Sequence, residues 1–134
     1  MSDIAIFVLV GHCGPDAALL KSAVGRAVPG AAIVAAHNEA SLQSHLQPGR
    51  VLLINRALDG SFNTRDGVEL MERVLTGDAP PVALLISNYA DAQERAMAVG
   101  GKPGFGKSAV YAESTRQILR DAAGVTAMNS KSPS

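Results

Sequence analysis

What this sequence lacks narrows its class before any motif is read. Among 134 residues there is one cysteine, Cys13, so no internal disulfide can form, and a reducing compartment suits the chain. Net charge is missing as well: Lys plus Arg and Asp plus Glu each number 12, leaving no bulk field to attract nucleic acid or an acidic membrane surface. No apolar run approaches membrane-spanning length, and Met1 to Val10 is too short, and too acidic at Asp3, for a secretory signal. A second core has no room either, because 134 residues with 47% hydrophobic and 18% charged content suit one globular domain. The expected location is cytoplasmic, with neither nucleic acid nor membrane as a partner.

What is present is an alternation. Short apolar runs rich in branched residues alternate with stretches of helical period, the sign of a parallel sheet covered by helices. Ile4 to Val10 reads as a central strand buried on both faces, and Leu19, Leu20, Ala23, Val24 and Ala27 follow at helical spacing until Pro29-Gly30. Ala31 to Ala36 makes a second strand, and Asn38 can cap a short helix that buries Leu42 and Leu46 and stops at Pro48-Gly49. A third strand, Arg50 to Asn55, precedes a polar loop, Asp59 to Arg65, that reads as mobile. Asp66 and Glu69 have capping-box spacing before a helix that presents Val68, Met71, Val74 and Leu75. The fourth strand spans Val82 to Ser87, Asn88 is the expected cap, and the helix to Val99 has a thin stripe of Ala92, Ala96 and Val99. A fifth strand near Pro103 to Gly106 and a helix from Glu113 to Ala123, with Ile118, Leu119 and Ala122 inward, complete the domain at residue 124. Residues 125–134 read as a flexible tail.

Five βα units make a doubly wound sheet, whose ligand crevice lies at the carboxyl ends of the central strands. That rule selects Gly11-His12-Cys13, Asn55-Arg56, Ser87-Asn88 and Lys107. With these positions in this order, and with the segments VLLINRALDG, PPVALLISNYADAQERAMAVG and GFGKS, the chain through Ala123 resembles the receiver domain of two-component response regulators. The resemblance implies a flavodoxin-like (βα)5 fold of strand order 2-1-3-4-5. It also implies that Asn55 stands at the phospho-acceptor Asp, Ser87 at the Ser or Thr that contacts the phosphoryl group, and Lys107 at the pairing Lys.

The likeness breaks at the chemistry. An amide cannot become an acyl phosphate, and where receivers hold Mg²⁺ with acidic residues this chain has Gly11, His12 and Cys13, none of which offers carboxylate oxygen. Asp16 and Asp59 are near in sequence, yet neither is an obvious substitute. Of the nucleophile, metal and cation that phosphoryl transfer needs, only the cation survives. Lys107 is expected to donate to Asn55 or to an adjacent carboxylate, so that Asn55, Ser87 and Lys107 form one permanently set network.

Two other motifs have plain structural readings. Gly101 to Ser108 matches GxxxxGK[ST] formally, but a P-loop follows an early strand and needs an Asp on another, whereas here about one helix and a tail follow. A glycine-punctuated strand and turn is expected. Gly11 to Asp16 combines two glycines with an imidazole and a thiol, and is read as a tight turn with Cys13 packed as a small apolar residue. His12, Cys13, His37 and His45 lack zinc-ligand spacing, so no metal and no cofactor is expected.

The expected function is that of a pseudo-receiver: a non-enzymatic signalling or adaptor domain that contacts signalling proteins without aspartyl phosphorylation. Arg56 and exposed Phe62, Tyr89 and Tyr111 are the candidate contacts, and Ala90 to Ala123 corresponds to the face through which receivers dimerise. One alternative is a small-anion or redox sensor with Cys13 at the same rim. Another is a nucleotide-binding enzyme using Gly101 to Ser108.

Overall fold

Unbroken apolar runs bounded by glycine, proline and polar residues become strands, and the amphipathic stretches between them become helices. In the computed structural model, which describes residues 5–130 (side chains of 5–124), the order is β1 (Ile6–Val10), α1 (Gly14–Ala27), β2 (Ala32–Ala36), α2 (Glu39–Gln43), β3 (Arg50–Asn55) and α3 (Gly67–Val74). Then follow β4 (Val82–Ile86), α4 (Ala90–Ala98), β5 (Lys102–Phe105), a 3₁₀ turn at Lys107–Ala109, and α5 (Glu113–Ser130). The strands form one parallel sheet in the order β2-β1-β3-β4-β5. This is the expected doubly wound, flavodoxin-like architecture, with its switch point between β1 and β3.

Strand alternation sorts the core into two layers. Phe7, Leu9, Val51, Leu53, Leu84 and Ile86 face Leu20 and Val24 of α1 and Leu119 of α5, while Val8, Val10, Leu52, Ile54, Ala83 and Leu85 face Leu42, Met71 and Val74. The thin stripe of α4 is real: only Ala92 and Ala96 of that helix are buried. Small residues there let the next segment approach closely. A Cβ on Gly101 would lie 2.6 Å from Met71 Sδ and 2.9 Å from the Ala96 carbonyl.

β5 departs from regular pairing. Leu84 pairs with Lys102 and Ile86 with Phe105, so three steps on β5 match two on β4 and the strand bulges. Pro103 has no N–H for the ladder, and Gln93 of α4 takes over: its Nε2 donates to the Leu85 carbonyl (2.9 Å) and to that of Ser87 (3.1 Å), and its Oε1 accepts from Gly104 N–H (3.2 Å). A Cβ on Gly104 would overlap the Leu85 carbonyl, and one on Gly106 would overlap Asn88 Oδ1. The glycines of Gly101 to Ser108 are therefore steric requirements of a bulged strand packed on α4.

Several local expectations change. Asp66 caps α3 by accepting from Val68 N–H (2.9 Å), but Glu69 accepts from the Thr64 hydroxyl (2.8 Å) rather than closing a capping box. The capping box is on α2, between Asn38 and Ser41. Asn88 does not cap α4, whose N-cap is Tyr89; its Oδ1 accepts from Ser108 N–H (3.2 Å) and Oγ (3.0 Å). The helix α5 continues past Ala123 to Ser130, and the last four residues of the expected tail lie outside the described residues.

Gly104→Ala should lower stability by about 1–3 kcal/mol through backbone overlap. Gly25→Ala, at an open position inside α1, should raise it by about 0.5–1 kcal/mol. Urea unfolding of the two variants checks both signs.

Candidate functional site

At the carboxyl end of β1 the chain must turn upward beside the switch point, and Gly11 makes that turn at φ 74°. A Cβ there would lie 2.7 Å from Leu58 Cδ2, so glycine is needed to admit Leu58. The Gly11 carbonyl accepts two bonds, from Asn55 Nδ2 (2.9 Å) and from Asp59 N–H (2.9 Å). Asn55, 8% exposed at the end of β3, thus spends its amide on backbone.

The Asp59 to Arg65 loop, expected to be mobile, is tied across the rim. Ser61 N–H donates to the His37 carbonyl (2.8 Å), Glu39 N–H to the Ser61 carbonyl (3.2 Å), and Leu58 N–H to the Arg65 carbonyl (3.0 Å). Asn63 N–H donates to Glu39 Oε2 (2.9 Å), which also pairs with Arg73 (2.7 Å). Phe62, expected to be exposed, is half-buried against the α2/α3 layer.

His12 turns inward and is 1% exposed. Its Nε2–H donates to the Leu53 carbonyl (2.8 Å), an acceptor-only partner that fixes this tautomer and leaves Nδ1 buried and unpaired. Burial chiefly, with Lys107 nearby, pushes the imidazole down from 6.5 to about 4, against the opposing effect of the Leu53 bond.

Cys13 is exposed rather than packed, and it stands at the N-cap of α1 without a side-chain capping bond. Asp16, in the first turn of α1, accepts from Lys107 Nζ at 2.6 Å. That bond, with a lesser one from Cys13, holds the carboxyl below its usual range. Lys107 therefore satisfies the second of its two expected partners, a carboxylate, and does not reach Asn55 by a direct bond. Ser87 is buried, and its Oγ accepts from Tyr89 N–H (3.1 Å). The three side chains expected to form one network make three separate bonds instead.

Of the remaining candidates, Arg56 lies 4.9 Å from the ring centre of Tyr89, and Arg26 lies 5.2 Å from that of Tyr111. Tyr89 is 58% and Tyr111 54% exposed, and Met97 on α4 is 44% exposed. Sequence reasoning set Asp16 aside and missed Gln93 and the burial of His12. The signal for Gln93 was Pro103, which leaves a neighbouring carbonyl without a donor if its segment is a strand.

The resemblance to receiver domains would imply a divalent cation at the ends of β1 and β3. Gly11, His12 and Asn55 offer no carboxylate there, and among the described residues no group of three His, Cys, Asp or Glu could hold a metal ion. The donor set does not fit a hard cation.

Unfolded, an imidazole protonates near 6.5, and folded His12 only near 4. Between these values the unfolded state holds the extra proton, so stability should fall by roughly 3 kcal/mol as pH drops through that window. His45 is shifted the same way, by burial and then by Arg50, whereas Asp16 stays ionised throughout. His12→Gln, which keeps a donor for Leu53, should flatten the pH slope of urea unfolding relative to wild type. An unchanged slope would assign the effect elsewhere.

No protein-family model matches the sequence, and no curated protein matches it. Solved structures do match in fold. The signal receiver domain of a DNA-binding response regulator from Colwellia psychrerythraea aligns with TM-score 0.66 at 17% identity, covering 90% of this chain and 98% of that one. A response regulator receiver domain from Rhodospirillum rubrum gives 0.60 at 16%, covering 92% and 94%. The phosphorylated cyanobacterial phytochrome response regulator RcpA gives 0.60 at 15%, covering 98% and 99%. The fold is that of response regulator receiver domains.

Proposed function

We propose that this chain is a signalling domain of the receiver type that acts by protein contact, without aspartyl phosphorylation and without catalytic turnover. The observation that carries this reading is Asn55: the end of β3 presents an amide, and that amide is spent on the Gly11 carbonyl, which Asp59 N–H also holds while Leu58 packs against the Gly11 turn. A nucleophile is absent from the end of β3, and the cation that would neutralise the phosphoryl group is engaged by Asp16. The small-anion alternative is less favoured, because the Gly11 turn admits Leu58 rather than a ligand. Cys13 is exposed, so alkylation of the folded chain remains the direct assay of the redox alternative.

Signalling proteins are the partner class, reached through exposed side chains of the Ala90 to Ala123 segment and its border. Tyr89, with Arg56 across its ring, and Met97 are the apolar anchors there. Among the described residues no helix is long and apolar enough to cross a membrane.

Acetyl phosphate with Mg²⁺ should leave the intact mass of the chain unchanged. Asn55→Asp should not gain a phosphoryl group either, because the acidic pair is missing too. It should lose about 1–3 kcal/mol of stability, since a buried carboxylate would face the Gly11 carbonyl. A magnesium-dependent adduct on wild type would overturn the proposal, and one on Asn55→Asp alone would reduce the change to a single silenced acceptor.

A further inference from the structure

The two edges of this sheet are built differently. On β5, Lys102, Pro103 and a bulge each discourage a further strand from pairing. The other edge, β2, reads Ala-Ile-Val-Ala-Ala, with no charge, no proline and an unshifted register against β1.

The hydrogen-bond pattern says which of its groups are open. Ala32 N–H donates to the Ala5 carbonyl (3.2 Å), and the Ala36 carbonyl accepts from Gly11 N–H (3.2 Å), so residues 32, 34 and 36 direct their amides toward β1. Ile33 and Ala35 therefore direct theirs outward. The next outward carbonyl, that of His37, is taken by Ser61 N–H at 2.8 Å. Among the described residues nothing hydrogen-bonds to the backbone of Ile33 or Ala35 beyond the sheet. Ala32 and Ala35 are exposed, and their methyl groups leave the approach clear.

We propose that β2 pairs antiparallel with β2 of a second copy, about a two-fold axis at Val34, joining two sheets into one. In that register Ile33 exchanges both backbone bonds with the partner subunit's Ala35, and Ala35 does the same with the partner subunit's Ile33. Val34 then lies opposite the partner subunit's Val34 in the closer, non-hydrogen-bonded kind of pair, a favourable cross-strand match of branched residues. A second copy fits better than an unrelated strand for two reasons. The open stretch is bounded by the Ser61 bond above and the Pro29-Gly30 turn below, and the outward pattern of β2 is its own complement about Val34. A formal net charge of zero sets no overall repulsion between copies.

So short a ladder makes a weak, reversible dimer, so sedimentation velocity should be run from about 10 µM to about 1 mM. Wild type should dimerise within that range. Ala35→Pro removes one outward N–H but no bond of its own sheet, and should weaken the dimer at least about tenfold while the thermal midpoint stays near wild type. Val34→Cys in a Cys13→Ser background should form a disulfide-linked dimer with oxidised glutathione, whereas Tyr89→Cys in that background should not. A chain that is monomeric throughout the range with no Val34→Cys cross-link overturns the proposal. So does a dimer indifferent to Ala35→Pro but broken by substitutions at Tyr89 and Met97, which would place the contact on α4.

Discussion

Everything else in the structure depends on burying β1, β3 and β4 on both faces. Side chains on these strands alternate between two apolar layers, so a polar side chain inside either layer would go unpaired. Polar chemistry is pushed to the strand ends, and at the switch point those ends converge. Asn55 pairs with Gly11, His12 with Leu53, and Ser87 with the Tyr89 backbone, so each of these polar side chains has a backbone partner. The same confinement brings α3 close. Gly67 donates to the Arg56 carbonyl at 2.8 Å, and any Cβ there would overlap the Asn55 carbonyl.

The sequence made the layers legible because strand burial and helix period are local patterns. The apolar run ending at Val10 read as a strand covered on both faces, and Pro29-Gly30 closely follows the end of α1, whereas α2 stops at Gln43, well before Pro48-Gly49, and leaves Leu46 outside the helix. Side-chain partners were less legible, since they depend on which strand ends meet. Lys107 and Asp16 are separated by 91 positions and join only after the sheet is wound. Asp66 lies three residues before Glu69, which suggested a capping box, but Thr64 offered Glu69 a hydroxyl donor at 2.8 Å and won the competition. Thr115 on α5 is buried with its hydroxyl unpaired, and nothing in its sequence surroundings marked it.

The formal match to a phosphate-binding loop shows how a motif can be satisfied for another reason. Glycine at residues 101, 104 and 106 answers three separate steric demands, from Met71 and Ala96, from the Leu85 carbonyl, and from Asn88. A phosphate loop needs its glycines so that backbone N–H groups can surround an anion. Here Gly104 N–H is held by Gln93 and Ser108 N–H by Asn88, so two of the amides in that segment already have acceptors.

The placement of charge follows from the same economy. Several carboxylates gathered at strand ends repel one another and need a bound cation. A single carboxylate in the first turn of a helix does not, because the helix N-terminus and one ammonium suffice. Asp16 occupies such a position, with Pro15 at the start of α1 and Lys107 at 2.6 Å. The pair is partly exposed and adds little stability. Its consequence is positional: it fixes the turn after β5 to α1 and leaves the end of β3 to a neutral amide. With the carboxylate on α1 paired to Lys107, the groups nearest the Gly11 turn are the neutral Asn55 amide and the buried His12 ring.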